Sequence, residues 1–406
     1  MNRTLARATV LVGLVCVAAA DGLAQPAKVS DGVVRIGVLG DMTGLYSDLG
    51  GQGSVIAAQM AVDDFGGSVL GAPVEVIAAD HQNNAATGAN RAQDWLQTQR
   101  VDMITDLTNS AVALAVSKLA AARKRLAVVV GAASTRLTNE DCTAYTIHYA
   151  YDTYALANGT ARTIVRQGGD SWFFVTVDYA FGLSLEKDTA AAVTASGGKV
   201  LGRVRHPLNV GDALPYLLQA KASRPKVIGL ANAGGDSINS IRAAAELGLT
   251  GEHVVAGLLV FLTDVHSLGL QIANGMIFTD GYYWDFDEET RRFAKRFFAK
   301  ARKMPTMVHA GVYSATTNYL KAVREAGTDE AGAVVAQMRK MDLSDFFARN
   351  AQLREDGRLV KDMYLVQVKK PAESKYPWDY YQIKAIIPAG EAFQPLAQSR
   401  CPLVKK

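Results

Sequence analysis

Cysteine is scarce in this chain, with three among 406 residues. There is no CxxC and no Cys/His cluster, which leaves no zinc ribbon or thioredoxin-type redox centre. The six histidines (His81, His148, His206, His253, His266 and His309) are scattered, none pairs with another at metal-ligand spacing, and HExxH is missing. No metal site is expected. The early glycines Gly40, Gly44, Gly50, Gly51 and Gly53 have the wrong spacing for a dinucleotide fingerprint. Neither GxxxxGK[ST] nor GxSxG occurs, so no nucleotide or other cofactor is expected. An excess of charge is lacking too. The formal net charge is +4, too small for a field that would gather nucleic acid or membrane. These absences remove the usual signs of an enzyme, and the chain is read as non-enzymatic. Triads assemble in space, so the absences alone do not exclude a hydrolase; Ser134 with His81 is the one pairing on offer.

Long apolar runs are also missing beyond the first residues. Arg3 and Arg7 precede the apolar run 8–20, and Gly22-Leu23-Ala24 places small residues before Gln25. That is the pattern of a secretory signal over 1–24. The competing reading is a membrane anchor, but the run is short of the ~20 residues that span a bilayer. Cys16 follows Val15, whereas a lipid-anchor signal wants a small residue there. The mature chain is therefore expected to be soluble and periplasmic. Its remaining cysteines, Cys142 and Cys401, read as a disulfide in an oxidising compartment, against the alternative of two free thiols. Hydrophobic residues make up 49% of the chain, ample for a large core.

Short β-branched runs alternate with helical patterns. Strands are expected at 33–39, 73–79, 101–107 and 126–130, and helices at 54–65, 87–98 and 110–124. Each unit has the size of a βαβ repeat that builds a parallel sheet. The rhythm restarts after Asp152. It gives helices at 155–166, 183–195, 213–222 and 237–247, and strands at 172–177, 200–204, 227–230 and 254–259. A strand at 276–279 and helices at 288–302, 308–326 and 331–341 follow, then strands at 352–359, 364–369 and 380–387.

In open α/β sheets, ligands sit beyond the carboxyl ends of the strands. Those loops here are Asp41-Met42-Thr43-Gly44, Thr108-Asn109-Ser110, Ala132-Ala133-Ser134-Thr135 and Asp178-Tyr179-Ala180-Phe181-Gly182. Small and hydroxyl residues at a helix start expose N–H groups that favour an anion. Plain N-capping by Asn109 and Ser134 accounts for the same residues.

The order and spacing of these loops resemble the type I periplasmic solute-binding proteins of ABC transporters, the branched-chain amino-acid (Leu/Ile/Val) receptor family. The resemblance runs from Val34-Arg35-Ile36-Gly37-Val38-Leu39-Gly40-Asp41-Met42-Thr43-Gly44 through Asp80 and Gly131-Ala132-Ala133-Ser134. It continues to Val177-Asp178-Tyr179-Ala180-Phe181-Gly182. It implies an α/β fold of two Rossmann-like lobes, joined by three crossing segments, with a ligand cleft between them. Lobe 1 would hold 30–149 and 279–350, and lobe 2 would hold 150–278 and 351–390. Residues 391–406 would return to lobe 1. Carried over by position, the contacts to a ligand carboxylate fall on Asn109, Ala132 and Ser134, and Phe181 covers the ligand.

Amino-acid receptors usually place an acidic residue just past the strand at 254–259, where this chain has apolar residues. A buried ammonium without a counter-charge costs several kcal/mol. The ligand is therefore expected to be a small organic acid, with Leu49, Leu259, Tyr283 and Trp284 as apolar or aromatic walls. Leu45, Tyr46, Phe261, Tyr282, Met307 and His309 are further candidates. Receptors for aromatic acids are similar in this respect. The alternatives are a branched-chain amino acid, with Asp41 or Asp106 as counter-charge, a short amide or urea, or a sensing module for a membrane kinase. The expected partners are the permease subunits of an importer, and the expected state is a monomer.

Overall fold

The computed structural model describes residues 29–405. The signal-peptide expectation for 1–24 lies outside the described residues.

Two parallel sheets form in succession. The first has the strands Val34–Gly40, Ala72–Asp80, Met103–Asp106, Leu126–Val129 and Thr146–His148, with Ser68–Val69 at one edge. Val34–Gly40 lies between Ala72–Asp80 and Met103–Asp106, in register Val38↔Ala78 and Val38↔Thr105. Val34, Ile36, Val38 and Leu39 are all fully buried. Near-continuous burial of that kind is what a parallel sheet covered on both faces demands. The helices Ala85–Gln97 and Ser110–Ala122 cover one face, and Gly51–Phe65 with Met307–Ala326 covers the other. Gly37 is glycine for a steric reason: a Cβ there would sit 2.5 Å from the indole of Trp95. The absent side chain lets the helix lie close on the sheet.

The second sheet orders its strands Val254–Gly257, Val227–Ala231, Ser171–Val177 and Lys199–His206. A third, antiparallel sheet joins Ile277–Asp280, Met363–Val368 and Tyr381–Ile387. The stretch expected as one strand at 352–359 is a hairpin of Gln352–Leu353 with Leu359–Val360. Its turn Glu355-Asp356-Gly357 interrupts the extended backbone, with Gly357 at φ +81°. The two parallel sheets and their helices form two α/β lobes.

Three chain segments run together where the lobes meet. His148 bridges to Arg358 in parallel, Arg358 donates to the Tyr151 carbonyl at 2.9 Å, and Lys361 donates to the Gly281 carbonyl at 2.8 Å. Arg358 is fully buried, with Asp152 at 3.6 Å and the Phe393 ring beneath its guanidinium. The C-terminal tail returns to the first lobe through the Cys142–Cys401 disulfide and the Arg400 N–H on the Asn139 amide oxygen at 2.8 Å.

Candidate functional site

The first wall of the cleft is set by a backbone turn. Asp106 and Leu107 both take left-handed φ, +71° and +58°, directly after their strand. A non-glycine residue there costs on the order of 1–2 kcal/mol. The Thr108 hydroxyl bonds Asp106 Oδ1 at 2.6 Å and braces the turn. Thr108 and Ser110 then line a cavity between the lobes, with Gly131 and Ala133 from the next loop.

The loop after Val34–Gly40 adds Tyr46 and Leu49. Buried Asp41 shapes it by accepting from the Gly44 and Tyr46 N–H groups, both at 2.8 Å, and from the Asn83 amide. The second lobe supplies Tyr179 and Phe181 at the start of helix Ala180–Ala195, Ala233 before helix Gly234–Glu246, and Leu259 and Phe261. Tyr151, from the segment joining the lobes, completes the ring and donates to the Gly131 carbonyl at 2.6 Å. With the lobes together the cavity is closed down to about 10 Å³, room for about one water, and no lysine, arginine, histidine, aspartate or glutamate lines it.

A wider hollow opens between Thr135, Asn139 and Arg400 on one side and Arg162 and Lys187 on the other. Its lining is helix flank and tail. The smaller cavity is lined by the loops at the carboxyl ends of strands from both sheets, the position where open α/β sheets bind ligands, and it is the candidate site.

Leu49, Phe181 and Leu259 stand in this cavity. Asn109 instead turns its side chain to helix Ser110–Ala122, capping it by accepting from the Ala111 and Val112 N–H groups at 2.9 and 3.2 Å. The Ala132 carbonyl pairs with His148 Nε2 at 2.8 Å. The Ser134 N–H donates to the Ser110 hydroxyl oxygen at 3.2 Å, and the Ser134 hydroxyl pairs with that of Ser184 at 2.7 Å. Tyr283 stacks on Tyr381 with centroids 5.1 Å apart, and Trp284 Nε1 donates to the Trp378 carbonyl at 2.9 Å. Both rings are spent on residues 378–381. Met307 is buried, and His309 pairs with the Gly50 carbonyl at 2.9 Å.

Thr108, Ser110, Gly131, Ala133, Tyr151, Tyr179 and Ala233 line the cavity without having been singled out as site residues. The signal for four of them was proximity: each neighbours a chosen position in the same loop. Ser134 and His81 do not form a nucleophile–base pair, since His81 Nδ1 accepts from the Asn83 N–H at 3.1 Å.

The charges nearest the cavity lie behind its wall. Asp106 is pushed up to about 7, chiefly by burial, with the Thr108 and Ser54 hydroxyls opposing. Asp264 rises to about 7 for the same reason, with the Phe261 N–H opposing. The two acids considered as counter-charges are thus otherwise engaged: Asp41 holds its loop and Asp106 braces its turn. Among the described residues no group of three or more His, Cys, Asp or Glu side chains is arranged to hold a metal ion, and no helix is long and apolar enough to cross a membrane.

A family model described as periplasmic binding protein matches residues 33–375. A periplasmic binding protein from Burkholderia mallei is 51% identical, with 92% of this chain and 99% of that chain covered and a TM-score of 0.91. A branched chain amino acid ABC transporter periplasmic ligand-binding protein from Burkholderia xenovorans is 39% identical, with 91% and 99% covered and a TM-score of 0.82. An R. palustris ABC transporter solute binding protein, solved in complex with 4-hydroxybenzoate, is 22% identical over 88% and 97%, with a TM-score of 0.79, and shares the fold. No curated protein sequence matches significantly.

Proposed function

The chain belongs to the periplasmic binding proteins, substrate-binding rather than catalytic components of ABC transporters, and from that premise we propose that it captures a small organic acid with an apolar or aromatic body. The observation that carries this reading is the uncharged lining of the interlobe cavity. Leu49, Phe181, Leu259 and Phe261 suit an apolar body, with a few polar groups to fix its orientation. Ser110 offers its hydroxyl at the start of helix Ser110–Ala122, where the helix dipole favours a carboxylate, while the Thr108 hydroxyl is committed to Asp106. A buried ammonium would find no carboxylate in the lining, and an unpaired buried charge costs several kcal/mol.

Capture proceeds by hinge closure. Solute docks on the first lobe, and Tyr179, Phe181 and Leu259 close over it. The closed form must bind solute more tightly than the open one. The membrane permease subunits of an importer would take the loaded receptor as their partner, with the receptor working as a monomer in the periplasm after removal of 1–24.

A branched-chain amino acid is the second reading, favoured by the description of the 39% identical relative. A thermal-shift screen of the refolded protein separates the two. Benzoates, hydroxycinnamates and aliphatic acids are run beside leucine, isoleucine, valine and short amides. A true ligand at a hundredfold excess over Kd stabilises by about 2.7 kcal/mol. A shift with acids alone supports the reading, and a shift with amino acids alone overturns it.

A further inference from the structure

Tyr46 from the first lobe and Tyr179 from the second meet in the cavity with their hydroxyls 2.8 Å apart. Each hydroxyl has the other as its sole hydrogen-bond partner among the described residues. Both rings are held in place. Asp41 fixes the Tyr46 backbone, and the Tyr46 ring lies so close to Gly234 that a Cβ there would come within 2.9 Å. Tyr179 packs against Phe181 with centroids 5.9 Å apart. Burial above all keeps both phenols protonated; Tyr179 adds to it at Tyr46, and Asp236 and Asp41 add to it at both. The pair is therefore a neutral donor–acceptor site on an otherwise apolar stretch of wall.

A solute that lodges between the lobes meets these hydroxyls. An apolar body that parts them leaves both without a partner. A solute hydroxyl, which donates and accepts, can take a place in the pair. Discrimination by a buried polar site of this kind is much steeper than discrimination by size in an apolar pocket.

We propose that the Tyr46–Tyr179 pair makes the receptor selective for organic acids whose body carries a hydroxyl remote from the carboxylate. The inference rests on the organic-acid reading above. It is tested by calorimetric titration of the refolded full-length mature chain with benzoate and its 3- and 4-hydroxy derivatives, and with cinnamate and 4-hydroxycinnamate. The expected result is that at least one hydroxylated acid binds about tenfold or more tighter than its parent, and that Tyr46→Phe and Tyr179→Phe each cut that ratio to about threefold or less. Equal affinities for parent and hydroxylated acids in the wild type, or a ratio unmoved in both variants, overturn the hydroxyl selection and leave the organic-acid reading standing. Binding of an amino acid or amide with no acid bound overturns both.

Discussion

Asp188 of the second lobe accepts a hydrogen bond of 3.0 Å from the Thr135 hydroxyl of the first lobe. The same oxygen takes the Thr153 hydroxyl at 2.5 Å, and Ser134 bonds Ser184 close by. These bonds tie the second-lobe helix Ala180–Ala195 to the loop that follows the first-lobe strand Leu126–Val129. The Thr135–Asp188 and Ser134–Ser184 bonds cross between the lobes and under hinge closure add to the stability of the closed form alone, whereas the Thr153 bond lies within the second lobe.

Replacing Asp188 by Ala should shift the balance towards the open form. Hydrogen bonds to a charged group contribute about 1.5–3 kcal/mol, so solute affinity should fall on the order of 10- to 100-fold. Calorimetry reads the affinity and small-angle scattering reads the larger radius at equal saturation. Asp188→Asn keeps an acceptor and should lose less. An unchanged affinity in Asp188→Ala would remove this contact from the closing energetics.

The buried carboxylates predict a pH dependence of definite sign. Asp106 titrates at about 7 in the fold because burial disfavours its charge, and near 3.9 when unfolded. The folded chain thus holds the proton more tightly, and stability contributed by neutral Asp106 is full below pH 4 and lost as pH rises to about 7. The loss is bounded at roughly 4 kcal/mol. Relative to Asp106→Asn, the wild type should lose melting temperature between pH 4 and 7. Parallel curves for the two proteins would contradict the assignment.

Cys142 and Cys401 close a loop of 259 residues of sequence separation. Opening it should cost on the order of 2–4 kcal/mol. It should also release the tail contacts of Ser399 and Arg400 with Thr138 and Asn139. Cys401→Ser with Cys142→Ser, and the wild type under reductant, should unfold at lower denaturant concentration by equal amounts. Coincident curves for oxidised and reduced protein would show that the bridge contributes nothing.

Placing a carboxylate in the cavity inverts its preference if the uncharged lining decides selectivity. Leu259→Glu should weaken acid binding at least about tenfold through like-charge repulsion at close range. Undiminished acid binding, read by the same titration, would show that Leu259 does not face the solute.

The periodicity of the chain made both sheets legible, because a parallel strand buried on both faces must be apolar throughout and its crossover helix amphipathic. The cysteine pair was legible from number and compartment. The site was legible only to the loop. Residues 108–110 and 131–134 were the segments expected, and the residues of those segments that line the cavity are Thr108, Ser110, Gly131 and Ala133. Asn109, Ala132 and Ser134 are turned to a helix cap, to His148 and to Ser184. Which side chain faces in is decided by the left-handed turn at Asp106 and Leu107, and strand alternation ends before it. Tyr283 and Trp284 pack outside the cavity lining. Their partners Trp378 and Tyr381 lie more than ninety residues on, and no local pattern announces a pairing at that distance.

The central claim is that the cleft has a place for a carboxylate and none for an ammonium. Matched pairs test it most directly: 4-methylpentanoate against leucine, and 3-phenylpropanoate against phenylalanine, each titrated into the refolded protein by calorimetry. Each pair differs only in the α-ammonium. The account predicts that the acid of at least one pair binds and that its amino acid binds at least about tenfold more weakly, the least a desolvated, unpaired charge should cost. Tighter binding of the amino acid in either pair would contradict it.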